Sequence, residues 1–351
     1  MNLDNCFSIR MRAPRTGSMD VATYYMTNFL CEYSRAILER AIEGGFNFMD
    51  CLIAPDGCSM INRCVENMEL LKAMTKDTFF YQNMEIPMKA DENGLNLMVV
   101  QCRNHILKPL HEHFGTDISD EAMLKAVEEH NKVCDLINEI SQYRKLDNPT
   151  ITAHEFHVIT LASYECPKDK FIPILEDILE DLKTRKPDAK NPYKVRIALV
   201  GSEVDDMDVI KAMEDAGAYV CVDRFCFGAF PGRTRITIKE GDDPLTEICR
   251  HYTYISQCAR MMNQTKIQAR RKYVDMLAKE YKADGIVYEQ VKFCDPWAYE
   301  GMVGTAVLRD DYGYPVLQID RPYANGGTGQ IRTRIQAFVE SIEIKKLGGN
   351  K

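Results

Sequence analysis

The sequence predicts an α/β protein in which parallel strands alternate with helices. Apolar runs such as KVRIALV and DGIVYEQV have the length and the β-branched content of buried strands. Segments with helical periodicity follow these runs along the chain. Strands that alternate with helices in this way imply parallel pairing and doubly wound sheets. We therefore predict two Rossmann-like, doubly wound parallel-sheet domains with a helical insertion and a ligand cleft between the domains.

The first half of the chain begins with two predicted strands and continues as helices. Residues 49–55 form a short apolar strand, and helical periodicity follows from Cys58. The run TFFYQNMEIP is the next predicted strand and ends at Pro87. A helical pattern then occupies about residues 94–165 and is broken at HFGTDIS, where Ser119 is the expected N-cap of a new helix.

The best position for a domain boundary is the charged segment DLKTRKPDAKNPYK, which contains two prolines. We place an N-terminal α/β domain at 1–185 and a C-terminal α/β domain at 186–351. The second half then alternates regularly, with strands predicted in KVRIALVGSEV, AYVCVD, DGIVYEQV and PVLQID. Helices are predicted over DMDVIKAMEDAG, over Pro244 to Tyr281 as one long helix, around WAYEGMVGTAVLRDD, and from about Gly329. In sheets of this kind, ligands bind beyond the carboxyl ends of the strands.

Charge and hydropathy exclude several classes of protein. The net charge is -8 with both signs interleaved, and no basic face or tail is visible, so a nucleic-acid partner is not expected. No apolar run approaches the roughly 20 residues that cross a bilayer. The first residues have no continuous apolar core of the kind found in secretory signals, so we expect a cytoplasmic protein.

The chain contains 13 cysteines, which is an unusual number. No CxxC pair or zinc-knuckle spacing is present, and nothing indicates export, so neither structural zinc nor a disulfide framework is expected. Free cysteine is among the most buried residue types. This expectation of simple burial covers Cys6, Cys51, Cys64, Cys134, Cys166, Cys221, Cys226 and Cys249.

Two cysteines stand at predicted strand-to-helix junctions. Cys58 follows a strand and a Pro-Asp-Gly turn, and Cys294 follows a strand and precedes Asp-Pro. A helix N-terminus lowers the pKa of a thiol and favours the thiolate that metals bind. Cys31 lies just before or within an amphipathic helix, and Cys102 is an alternative third ligand. From spacing alone, these residues are either metal ligands facing one cleft or buried side chains.

A glycine-rich loop, ANGGTGQIRTR, precedes the last predicted helix. Gly326, Gly327 and Gly329 lead to Gln330, with Arg332 and Arg334 in the first turn. Backbone N–H groups and guanidinium groups at a helix start can bind an anion. Two interpretations stay open: an anion-binding contact, or a turn whose arginines pair with acidic residues of a partner.

Five segments distributed from about Ser8 to Glu340 form a recognisable set: YYMTNFLCEYSRAILERAIEGGFNFMDCLIAPDGCSMINRC, RIALVGSEV, EDAGAYVCVDRFCFG, DGIVYEQVKFCDPWAYE and GYPVLQIDRPYANGGTGQIRTRIQAFVE. Together they resemble the 2-hydroxyacyl-CoA dehydratase and benzoyl-CoA reductase subunit family. The last of the five is similar to the family's C-terminal GQxxTRxxAFxE pattern.

The resemblance implies a [4Fe-4S] cluster held by Cys31, Cys58 and Cys294, with one iron open to substrate or water. It implies a hydro-lyase that removes water from an (R)-2-hydroxyacyl-CoA through a ketyl radical. It also implies a heterodimer with a paralogous subunit and a separate ATP-dependent iron–sulfur activator; no Walker-type GxxxxGK[ST] motif occurs in this chain. In this interpretation, Gly327, Gly329, Gln330, Arg332 and Arg334 contact the CoA phosphates or the thioester.

The chain departs from the family pattern in two respects. The cysteines are followed by Glu32 and Ser59, where the family usually has Pro and Asp, which affects the surroundings of the ligands and not the ligands themselves. A further N-terminal segment that contributes to the substrate pocket in the family is not present in the sequence, so we expect either a fragment or the subunit that mainly relays electrons. The alternatives are a benzoyl-CoA reductase subunit, a double-cubane or electron-relay protein, and a plain α/β binding protein with buried cysteines.

Overall fold

The computed structural model describes residues 2–187, 193–229, 233–256, 258–261, 263–324 and 328–348. In the first half, strands and helices follow one another, and a π-helical turn spans Arg103–Leu107. The elements are β1 (Asn2–Leu3), β2 (Cys6–Phe7), α1 (Asp20–Tyr25), α2 (Glu32–Ile42), β3 (Cys51–Pro55), α3 (Ser59–Leu70), β4 (Phe80–Met84), α4 (Glu92–Cys102), α5 (Lys108–Phe114), α6 (Asp120–Gln142), α7 (Ala153–Ala162) and α8 (Lys168–Thr184).

The second half contains a four-stranded parallel sheet with the strand order β6-β5-β7-β8. Its predicted strands are confirmed to within a few residues. The elements are β5 (Val195–Gly201), α9 (Met207–Asp215), β6 (Ala218–Phe225), α10 (Pro244–Ile255), α11 (Gln264–Glu280), β7 (Gly285–Val291), α12 (Asp295–Asp310), β8 (Val316–Arg321) and α13 (Thr328–Gly348).

The three strands β5, β6 and β7 are buried along their whole length. Strands covered on both faces must be apolar at nearly every position, which explains why runs such as VRIALVG show no alternation of polar and apolar residues. The two buried carboxylates that these strands carry are paired: Arg144 contacts Asp223 of β6 at 2.6 Å, and Arg321 contacts Glu289 of β7 at 2.6 Å. The prediction of parallel α/β structure is confirmed here.

The first half has a smaller parallel sheet, in which β3 pairs with β4 from Cys51↔Phe80 to Pro55↔Met84. Buried residues of α2 and α3 share one hydrophobic core with β5, β6 and β7. The helical insertion around residues 94–165 corresponds to α4 through α7. Two Rossmann-like domains, and the division between residues 185 and 186, stay predictions; residues 188–192 of the predicted boundary lie outside the described part of the chain.

Capping residues at helix starts explain where the predicted helices agree with the structure and where they differ from it. The Ser119 side chain accepts a hydrogen bond from the Ala122 N–H, which confirms the predicted N-cap of α6. The single helix predicted from Pro244 to Tyr281 is wrong, because α10 ends at Ile255 and α11 begins after Asn263. The Asn263 side chain accepts from the Lys266 N–H and starts the second helix. Among the described residues, no helix is both long and apolar enough to span a membrane.

Candidate functional site

The carboxyl edge of the four-stranded sheet brings several reactive side chains together. Gly201 at the end of β5 pairs with Phe225 of β6 and with Glu289 of β7. Glu203, Cys226 and Cys294 follow these three strands, on the same edge of the sheet. Neighbouring strands lie only about 5 Å apart. This is the edge at which ligands of open parallel sheets bind.

Cys294 is positioned by a tight turn between β7 and α12. Its N–H donates to the Val291 carbonyl at 3.0 Å, and it is the N-cap residue of α12. The preceding residue, Phe293, has a φ of 64°, a left-handed conformation that is uncommon for a side chain of this size. Cys294 is 9% exposed. The turn thus holds the thiol at the first turn of a helix and almost out of contact with water.

Cys31 is the N-cap residue of α2 and lies against the same turn. The Glu32 N–H donates to the Lys292 carbonyl at 3.5 Å, and the ring of Phe29 contacts the ring of Phe293. The Cys31 and Cys294 thiols lie close enough to interact with each other. That contact, together with burial, raises the pKa of Cys294 well above its ordinary value. Two of the predicted ligands, one from each half of the chain, therefore meet directly.

Cys58 is the N-cap residue of α3, in an extended conformation. Its thiol interacts electrostatically with Cys31 and with Glu203. Burial raises the pKa of Cys58, although the backbone N–H groups of Ile61 and Met60 lower it. The expected net lowering by the helix N-terminus is therefore wrong for the metal-free thiol, because desolvation outweighs the helix.

Charged groups surround these thiols, and the sequence analysis did not select them. The pKa of Glu203 is raised by burial and partly lowered by Arg10 and Arg321, whose charges lie nearby. The Glu203 carboxyl group also interacts with Cys226 and Cys294. Glu203 and Cys226 follow strands β5 and β6 just as Cys294 follows β7. The sequence signal that could have identified Glu203 and Cys226 is the one that identified Cys294: a position just after a predicted strand.

Aromatic hydroxyl groups form one wall of the site. The Tyr33 hydroxyl donates to the Met11 carbonyl at 2.7 Å, and the Tyr323 hydroxyl accepts from the Ala13 N–H at 2.9 Å. The Tyr323 hydroxyl also donates to Asp205, whose pKa burial raises to about 7. These contacts fasten the N-terminal segment over the carboxyl edge of the sheet and exclude water from it.

Two further predictions concern residues away from the thiols described above. Cys102 ends α4, and its thiol hydrogen-bonds to Cys249 within a separate hydrophobic cluster. Gly326 and Gly327 lie outside the described residues. Gly329, Gln330, Arg332 and Arg334 are exposed in the first two turns of α13, and Arg334 donates to the Gln318 carbonyl at 2.6 Å. A role for this loop in anion binding stays a prediction.

The three cysteine thiols are of the ligand type that an iron–sulfur cluster requires. Within the described ranges, no three Cys, His, Asp or Glu side chains converge closely enough for a single metal ion. A four-iron cluster is larger than one ion, and each thiolate binds a different iron. Cys31, Cys58 and Cys294 are all N-cap residues, and backbone N–H groups lie beside two of the thiols: those of Ile61 and Met60 beside Cys58, and that of Trp297 beside Cys294. Thiols with such neighbours fit an anionic cluster.

Comparison with known proteins gives one family over nearly the whole chain. The family described as "2-hydroxyglutaryl-CoA dehydratase, D-component" matches residues 4–342. The β subunit of (R)-phenyllactyl-CoA dehydratase from Clostridium sporogenes is 24% identical over 92% of this chain and 83% of its own length. The β subunit of (R)-2-hydroxyglutaryl-CoA dehydratase from Acidaminococcus fermentans is 21% identical (91% and 82%), and a subunit of benzoyl-CoA reductase from Thauera aromatica is 20% identical (91% and 81%).

Proposed function

Since the chain belongs to the 2-hydroxyglutaryl-CoA dehydratase D-component family, we propose that it is the iron–sulfur subunit of a 2-hydroxyacyl-CoA dehydratase. The reaction removes the 2-hydroxyl group and a β-hydrogen of an (R)-2-hydroxyacyl-CoA as water and gives the 2-enoyl-CoA. One electron enters the thioester to form a ketyl radical and is recovered after the elimination. The meeting of Cys31 and Cys294, with Cys58 beside them, is the observation that supports this proposal.

Cys31, Cys58 and Cys294 are the residues that would hold the [4Fe-4S] cluster. When bound, the cluster supplies a one-electron carrier and an iron with a free coordination position. The N-termini of α3 and α12 place backbone N–H groups next to the Cys58 and Cys294 thiols, where they would offset negative charge on the thiolates. Arg10 and Arg321 add positive charge on the side of Glu203.

Partner proteins follow from the same proposal. The dehydratase relatives are named as β subunits, so we expect a paralogous subunit to complete the enzyme as a heterodimer. By its resemblance to the family, we expect a separate ATP-dependent iron–sulfur activator to deliver the electron, which fits the lack of a GxxxxGK[ST] motif in this sequence. The thioester substrate would approach the carboxyl edge of the sheet, with Gly327, Gly329, Gln330, Arg332 and Arg334 as proposed CoA contacts.

Two other functions on the same scaffold have specific support. The similarity to the benzoyl-CoA reductase of Thauera aromatica favours a subunit that reduces an aromatic ring. Cys226 and Cys258 interact with each other and with Glu203, and these additional thiols would suit a double-cubane electron-relay protein. Both alternatives share the three-cysteine site, so they differ from the first proposal in iron content or substrate.

The test is the iron and sulfide content of protein purified without oxygen, alone and together with the paralogous subunit. About four irons per chain with thiolate-to-iron absorption support the dehydratase or the reductase, whereas about eight support the double-cubane protein. Activity with the activator on 2-hydroxyacyl-CoA or on benzoyl-CoA then distinguishes the first two. A colourless, iron-free protein contradicts all three.

The site itself is tested by replacing each of Cys31, Cys58 and Cys294 with serine. Each variant should lose most of its iron, because a thiolate ligand is missing. Cys166→Ser is the matched control, since Cys166 is a half-buried free thiol that packs against a different hydrophobic cluster. Unchanged iron content in any of the three site variants contradicts the assignment of that residue.

A further inference from the structure

A cavity of about 560 Å³ lies on the outer side of the N-terminal segment, residues 9–16. This volume is within the usual range for small-molecule sites. Its walls combine cationic and apolar side chains, a combination that suits an organic anion. The lining includes Arg10, Arg12, Arg15, Arg40, Phe46 and Phe48.

The positive charge of the cavity is only partly neutralised. Four arginines and one carboxylate, Glu165, line it. Arg12 forms an ion pair with Glu165, and Arg10 stacks on Tyr164 at 4.5 Å. Arg15 and Arg40 are exposed and form no ion pair with any other residue that the structure describes. Guanidinium groups stay charged at any physiological pH and bind phosphate oxygens in pairs.

The Arg40 side chain packs against the backbone of Gly45 at the cavity. A Cβ atom added to Gly45 would lie 2.2 Å from Nε of Arg40, so the guanidinium group occupies the space that any other residue would fill. The Gly45 N–H donates to the Arg40 carbonyl at 2.9 Å. The two aromatic rings differ in exposure: Phe46 is 5% exposed and Phe48 is 63% exposed. An exposed ring beside cations offers a surface on which a planar base can stack.

We propose that this cavity binds a nucleoside phosphate, with Arg15 and Arg40 on the phosphates and Phe48 on the base. The nucleotide is either free or the nucleotide end of a coenzyme A thioester. The second source rests on the proposed function, and in that case the glycine-rich loop before α13 contacts the thioester end and not the nucleotide phosphates. The cavity and the cysteine site share one wall, because the same segment is fastened to Tyr33 through Met11 and to Tyr323 through Ala13.

The test uses the iron-loaded protein, assembled with its paralogous subunit and kept free of oxygen. Calorimetry measures the binding of ADP, of coenzyme A and of inorganic phosphate. We expect ADP and coenzyme A to bind and phosphate alone to bind much more weakly. Arg15→Gln and Arg40→Gln should each weaken binding at least about tenfold, because each removes charged hydrogen bonds to phosphate. Phe48→Leu should weaken ADP binding and leave phosphate binding unchanged.

Arg309→Gln is the matched control, because Arg309 is exposed on α12 and pairs with its neighbour Asp310. It should bind ADP like the unmodified protein. Tighter binding of coenzyme A than of ADP identifies the thioester as the source, and equal affinity identifies the free nucleotide. Binding of neither nucleotide, or affinity unchanged in Arg15→Gln and Arg40→Gln, overturns the proposal. If the protein retains iron but does not bind nucleotide, only this inference is refuted. If the protein purifies anaerobically without iron and still binds nucleotide, only the proposed function is refuted.

Discussion

The buried ion pair between Glu289 and Arg321 is expected to be essential for the stability of the sheet beneath the cysteine site. Nε of Arg321 lies 2.6 Å from Oε1 of Glu289, and their side chains are 1% and 0% exposed. The Ser202 hydroxyl donates to the other carboxylate oxygen at 3.0 Å. Arg321 also donates to the Glu203 carbonyl. The pair therefore connects β5, β7 and β8 at the edge that carries Glu203.

Replacing one member leaves the other charge buried without its partner. We expect Glu289→Leu and Arg321→Leu each to lower the free energy of unfolding by about 3–5 kcal/mol. The double variant removes both charges together and should cost less than either single change, because no unpaired charge remains in the core. The exposed pair Lys282–Asp147 is the control: its side chains are 58% and 84% exposed, so Asp147→Ala should leave the free energy of unfolding nearly unchanged.

Equilibrium unfolding in urea at pH 7 measures these changes, with metal-free protein in every case. Trp297 is the single tryptophan of the chain, and its ring contacts Tyr288 of β7, so its fluorescence reports on this part of the sheet. A loss below about 1 kcal/mol in both single variants would refute the reasoning. So would a double variant whose loss equals the sum of the two single losses.

Three further predictions concern other positions. Burial lowers the pKa of His157 from 6.5 to about 3, so stability is fully present above pH 6.5 and falls as the pH falls towards 3. His157→Leu should therefore reduce the difference in unfolding free energy between pH 7 and pH 5 by about 2 kcal/mol, and an unchanged difference contradicts this. Gly201→Ala would place a Cβ atom 1.8 Å from the Glu289 carbonyl oxygen and should lower the free energy of unfolding by more than about 3 kcal/mol. Gly329→Ala is the control and should have almost no effect, because its Cβ meets nothing within 4 Å. Equal urea midpoints for the two variants would contradict the prediction. Asn131 exchanges two buried hydrogen bonds of 2.8 Å with the backbone of one loop residue, so Asn131→Ala should lower the melting temperature and cost about 2 kcal/mol, and an unchanged melting temperature refutes it.

Local sequence signals predicted most of the secondary structure. The strand β5 and the N-cap Ser119 depend on hydrophobic runs and on side chains within a few residues, which the sequence displays directly. The break between α10 and α11 was missed, because Asn263 starts a helix inside a stretch whose periodicity continues on both sides. The pKa of Cys58 is raised, whereas its position at a helix start predicted a lowered pKa. The difference arises because desolvation depends on packing that the sequence does not show.

The α/β character, the family and the helix-start position of Cys294 could be predicted from the amino-acid sequence alone, since each follows from local pattern or from similarity along the chain. The folded structure was needed to show that Cys31 interacts with Cys294 and that Glu203 interacts with both Cys58 and Cys294. Contacts between residues distant in sequence depend on how helices and strands pack. That packing is set by summed burial of apolar surface and by the parallel register of the strands, and no short segment of sequence contains either quantity.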